Sequence, residues 1–194
     1  MKDFFHKYGY SIVKMFLYQF AISLFGFSLY IAVSSMENMG NTPSIVASVF
    51  STLFYLFLLY VLVWDIGAHD KISVDVGKQP YKPMNGFIFG LLANLPNFIV
   101  AIAVAIGTLL ASIGAESSAL IVKILSSSTA LYRAVFEGMY LGIIMKTQIA
   151  AYWWVYFLLP IPSIITAGVA YLMGHKNLHL TPLVLPQDTK KKKK

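Results

Sequence analysis

The chain contains no cysteine. Disulfides, thiolate metal sites and cysteine nucleophiles are thereby excluded together. Charge is scarce as well: Asp, Glu, Lys and Arg make up 12% of the 194 residues, where a soluble domain carries about 25%. Acidic residues are the rarer sign, 8 against 15 basic, which leaves a net charge of +7. Catalytic signatures are missing too. There is no His-Glu-x-x-His, no Gly-x-Ser-x-Gly, no phosphate-binding loop and no Gly-x-Gly-Asp of intramembrane aspartyl proteases. No enzymatic activity and no cofactor are expected, and no internal repeat is found.

What is present is apolar. Hydrophobic residues account for 58% of the chain. A fold this small has too much surface to hide them all, so lipid must cover many of them. Lipid offers no partner to a free backbone N–H or C=O, which forces the crossing segments into helices. The expected fold class is therefore an all-α membrane protein.

Charge-free runs locate the spans, because a membrane helix needs about 20 mostly apolar residues. Four runs qualify: 15–36, 38–64, 84–115 and 147–175. They predict spans over 11–34, 44–65, 85–113 and 148–174. The segment 117–146 differs, since it carries Lys123, Arg133 and Glu137 among apolar residues. Each central charge costs about 2.5–3.5 kcal/mol on insertion. A re-entrant or interfacial helix over 118–145 is expected, with a fifth span as the alternative. An Arg133–Glu137 pair at i,i+4 would soften the cost of crossing. The expected architecture is one domain over 1–175, a bundle of four transmembrane helices plus that extra helix, followed by a basic tail over 176–194.

Orientation follows from Lys and Arg. Lys2, Lys7 and Lys14 flank the first span, and Lys71, Lys78 and Lys82 occupy the second loop. The first loop, 37–43, has no cation. Positive-inside then places the N-terminus and second loop in the cytoplasm. Four spans put Lys176 and the run 190–194 there as well, where the run would meet anionic lipids. The localisation expected is the plasma membrane, multi-pass. The first apolar stretch is longer than a signal-peptide core and is expected to stay attached. Nucleic acid is not an expected partner, because no basic face interleaves with stacking aromatics.

The third span carries the clearest pattern. Gly86, Gly90, Asn94, Asn97, Ala101, Ala105, Thr108 and Ser112 recur at steps of three or four, one small or polar helix face. Pro96 lies between the two asparagines and predicts a kink. The face can serve helix packing, or it can line a polar path at a break. A shorter stripe on the first span, Gln19, Ser23, Gly26 and Tyr30, offers Gln19 as a partner for Asn94 or Asn97. The candidate polar path or packing face is thus Gln19, Asn94, Pro96 and Asn97. The candidate charged site is Arg133 and Glu137. Asp65 and His69 stand four residues apart and would share a helix face, the weakest candidate for a metal. Gly67 between them reads as the end of the second helix. A protein partner or a homo-oligomer is compatible with these faces.

The run Trp64-Asp65-x-Gly67-Ala68-x-Asp70, with Gly86-Phe87-x-x-Gly90-Leu91-x-Ala93-Asn94-x-Pro96-Asn97, resembles a group of uncharacterised small membrane proteins of Gram-positive anaerobes. Gln19, Ser23 and Gly26, and the late Tyr171-x-x-Gly174, fit the same resemblance. It implies a bacterial plasma-membrane setting and carries no activity. Two function classes follow from the residues. One is a small solute or ion transport component, or the membrane subunit of a transporter. The other is a non-transporting accessory protein for assembly, immunity or sensing.

Overall fold

A computed structural model describes residues 2–35, 40, 42–112, 136–147, 149 and 152–178. The described residues are helical, with no strand among them. The order is α1 (Lys2–Ser34), α2 (Thr42–Asp75), α3 (Asn85–Ala93), α4 (Leu95–Ser112), a 3-10 turn (Gly138–Tyr140), α5 (Leu141–Lys146), α6 (Val155–Leu158) and α7 (Ile161–His175). Three helical stretches are long and apolar enough to cross a membrane: Phe4–Ser34, Thr42–Asp75 and Val155–His175. The pair α3 and α4, bent by 53° at its break, makes a fourth if it is counted as one span. Whether 118–145 forms one further helix is only partly visible, because 113–135, with Lys123 and Arg133, lies outside the described residues.

The outward faces explain why lipid suits this fold. On α2, Val46, Phe50, Leu53, Phe57 and Val61 follow helical spacing and are all at least half exposed. The opposite face of α2 is buried through Ser44, Ser48, Ser51, Tyr55, Leu59, Val63, Gly67 and Asp70. An apolar stripe of that length facing outward is a liability in water and an asset in a bilayer.

Both long helices overshoot the expected spans. α1 begins at Lys2 rather than near residue 11, and α2 runs to Asp75 rather than stopping near 65. At 1.5 Å per residue α2 is about 50 Å long, against a hydrocarbon core of about 30 Å. Gly67 is therefore not the end of α2. The stop is Gly77, which adopts φ +74. Its N–H donates to the Val74 carbonyl and the Lys78 N–H to the Ser73 carbonyl, each at 2.9 Å. That pair of bonds closes a helix through a left-handed residue. α7 ends in the same way on Asn177, at φ 53, with the Leu178 N–H on the Met173 carbonyl.

Gly67 has a different role. A Cβ there would stand 2.3 Å from the Tyr171 carbonyl oxygen, and one on Gly174 would stand 2.0 Å from that of Trp64. The two glycines let the α2 and α7 backbones touch. Gly86 and Gly90 do the same for α3 against α7, around Ala167 and Tyr171. The Trp64 indole N–H then donates to the Leu178 carbonyl at 2.7 Å, binding the end of α7 to α2.

The kink predicted at Pro96 is present. Asn94 stands outside both helices, and the bend there is 53°. The last span is also broken: α6 ends at Leu158, and α7 begins after Pro160. Its helix starts at Val155 rather than near 148. The Trp153–Trp154 pair caps this end, while Trp64 lies at the opposite end, beside the α7 terminus.

Candidate functional site

The overhanging ends of α1 and α2 meet in a polar clamp around Asp70. Its carboxylate is 3% exposed. The Lys7 ammonium donates to Oδ1 at 2.8 Å. The hydroxyls of Tyr8 and Tyr171 donate to Oδ2 at 2.7 and 2.8 Å. Lys7 also donates to the Gln79 side-chain oxygen, and the Gln79 amide donates to the Asp70 backbone carbonyl at 3.3 Å. One carboxylate thus joins α1, α2, α7 and the loop before α3. Beneath it Phe4, Tyr8, Phe89 and Tyr171 pack ring against ring. The sequence reading assigns Asp70 no role. Its signal is the buried stripe of α2, whose steps of three and four continue through Gly67 to Asp70.

A second polar group sits at the break of the third span. The Asn94 amide donates to the Gly90 carbonyl at 2.7 Å and to Ser163 Oγ at 2.8 Å. The Asn97 amide donates to Asn94 Oδ1 at 2.9 Å, and Ser163 donates to the Pro160 carbonyl at 2.8 Å. The broken span and the broken last span are therefore bonded to one another at their breaks. The Gly90 and Pro160 carbonyls also accept backbone N–H groups, from Asn94 and Ile164, so each takes a second donor from these side chains. Along the predicted face, Gly86, Gly90, Asn94, Asn97 and Ala101 are buried, Ala105 is half-buried and Thr108 is exposed.

Gln19 is buried but bonds neither asparagine; those amides are used on Gly90, Ser163 and each other. The first-span stripe faces the segment before α5 instead. Ser23 donates to the Phe136 carbonyl at 2.7 Å, and a Cβ on Gly26 would stand 2.5 Å from Met139 Cα. On the other side, Gly142 lies against the Ser44 carbonyl and donates its N–H to Ser48 Oγ at 2.8 Å. Residues 136–146 are wedged between α1 and α2 by glycines and serines. Glu137 is 2% exposed here. Arg133, its expected partner, lies outside the described residues.

Asp65 and His69 do share a face, because α2 continues past them. Their side chains approach to 3.7 Å and both are largely exposed. Among the described residues no group of three His, Cys, Asp or Glu side chains could hold a metal.

No family model, no curated protein and no solved structure matches the chain.

Proposed function

We propose that the chain is a multi-pass protein of a bacterial plasma membrane that serves as a non-transporting accessory component. Its clamp end faces the cytoplasm in this reading, because Lys7, Lys71, Lys78, Lys82 and Lys176 all belong to it. The bacterial setting rests on the resemblance of the Trp64–Asp70 and Gly86–Asn97 runs. The observation that carries the accessory reading is the closure of the Asn94–Asn97 part of the polar stripe on itself. Asn94, Asn97 and Ser163 bond one another and the carbonyls of Gly90 and Pro160. A solute path needs polar groups that face a lumen.

A transport component is the second reading. Asn97 Oδ1 favours it, being buried at the bend without a hydrogen-bond partner among the described residues. An acceptor at a broken helix is where a transporter places its ligand.

Two substitutions separate the readings, Asn97→Leu and Arg133→Gln. On the accessory reading Asn97→Leu strips Asn94 Oδ1 of its donor, at a cost of about 1–3 kcal/mol. Folded, monodisperse protein in detergent should fall sharply. Normal folding together with loss of the cellular phenotype would replace it with the transport reading. Equal tolerance of both substitutions would remove transport.

A further inference from the structure

Beside the clamp lies a cavity of about 160 Å³, walled by the first turns of α1, the α2–α3 loop and the start of α3. Its polar lining consists of Lys7, Lys82, Gln79 and Asn85, with Phe4, Tyr8 and Pro80 beside them. Among the described side chains no carboxylate lines it. Asp70 stands behind Lys7 and Tyr8, with its oxygens already occupied by three donors. Every charge that the described side chains place on the lining is therefore positive.

The two lysines are not equivalent. Lys7 is balanced by Asp70 at 2.8 Å. Its ammonium has three protons, and two are used on Asp70 and Gln79. The Lys82 ammonium makes no hydrogen bond or ion pair among the described residues. The described lining thus carries an excess of one positive charge, the complement of a monoanion. Asn85 is 6% exposed, so it presents its polar group within the protein rather than to bulk water. It is also the first residue of α3, where the backbone dipole favours negative charge. The loop that holds Lys82 is fixed at several points. Gln79 is bonded to Lys7, Tyr81 stacks on His175 at 4.1 Å, and the Asn85 N–H donates to the Lys82 carbonyl at 3.2 Å.

Phe5, Tyr81 and Met84 flank this end and are 51%, 42% and 62% exposed. Large apolar and aromatic side chains beside lysines suit the boundary between headgroups and acyl chains. We infer that this cavity binds a phosphate group, that of an anionic phospholipid headgroup, with Lys82 as principal ligand and Lys7 and Asn85 as supporting donors. The site uses none of the lysines of the run 190–194, and it does not depend on whether the bundle transports anything.

The test uses the full chain in detergent, with bound phosphatidylglycerol counted by native mass spectrometry during titration. Lys82→Gln removes the unpaired cation, and Lys78→Gln removes a cation of the same loop that does not line the cavity. Both are exposed, so size-exclusion profiles should match the parent. Lys82→Gln should weaken phosphatidylglycerol binding about tenfold, the loss of one charge-assisted bond at a partly wet site. Lys78→Gln should leave it nearly unchanged. A parallel titration with inorganic phosphate identifies the source. Lys82-dependent binding of inorganic phosphate without binding of the lipid would keep the phosphate site and make its ligand a soluble anion. Equal weakening by both substitutions, or none by Lys82→Gln, would overturn the inference, because only diffuse attraction to the basic end would remain.

Discussion

A carboxylate buried to the depth of Asp70 needs its acceptor capacity filled by donors that cannot easily leave. Two of its three donors are phenols on different helices, and both are themselves buried. The third, Lys7, is 41% exposed in its side chain. An ion pair reaching into water is worth little, while a buried donor left without an acceptor is costly. The phenols therefore hold the clamp more than the ion pair does. Asp70→Leu should cost about 2–4 kcal/mol, because both hydroxyls lose their acceptor. Lys7→Met should cost about 1 kcal/mol or less. Thermal midpoints of the purified variants in one detergent compare the two directly. Equal shifts would mean that the ion pair, not the phenols, fastens α1 to α2. This residue was illegible in the sequence for a specific reason. Reading Gly67 as a helix stop leaves Asp70 in a loop, where an aspartate needs no explanation.

At the scale of the element, glycine meant two things that a sequence cannot separate without neighbours. Gly77 terminates α2 by a left-handed turn, and Gly67 lets α7 approach. The periodicity of α2 could have told them apart. Its small and buried positions continue at steps of three and four past Gly67 and stop before Gly77. The Gly86-x-x-x-Gly90 pair was legible, since two small residues one turn apart signal a close helix contact. So was the bend before Pro96, which follows from a missing N–H. The extension of α1 back to Lys2 was not, because its first turns are stabilised by the clamp rather than by lipid. Glycine-to-alanine substitutions measure the contacts. Gly67→Ala and Gly174→Ala drive a methyl into a backbone carbonyl and should each destabilise by about 1–3 kcal/mol. Gly107→Ala meets nothing within 4 Å and should stabilise α4 by about 0.5–1 kcal/mol. A harmless Gly67→Ala would show that α2 and α7 are not in backbone contact.

At the scale of the whole molecule, the contacts sort the helix ends into two groups. The Asp70 bonds place the start of α1 beside the ends of α2 and α7, and Gly86 against Tyr171 adds the start of α3. At the other end, Gly142 lies against the first turn of α2. This alternation is what four crossings require: two helices begin and two end at the clamp. It does not by itself say which end faces the cytoplasm; the proposed orientation rests on the lysines at the clamp end. The chain has no native cysteine, so single cysteines give a clean readout. Placed at residues 78, 116, 146 and 188 and labelled from outside intact cells, they should react at 116 and 146 and stay silent at 78 and 188. Reaction at 78 would invert the molecule and turn the clamp and its cavity outward. Reaction at 116 and 188 but not at 146 would mean that 118–145 crosses. The Arg133–Glu137 pair would then lie within the membrane, and a buried charged pair at that depth would outweigh the self-closed stripe as the guide to function.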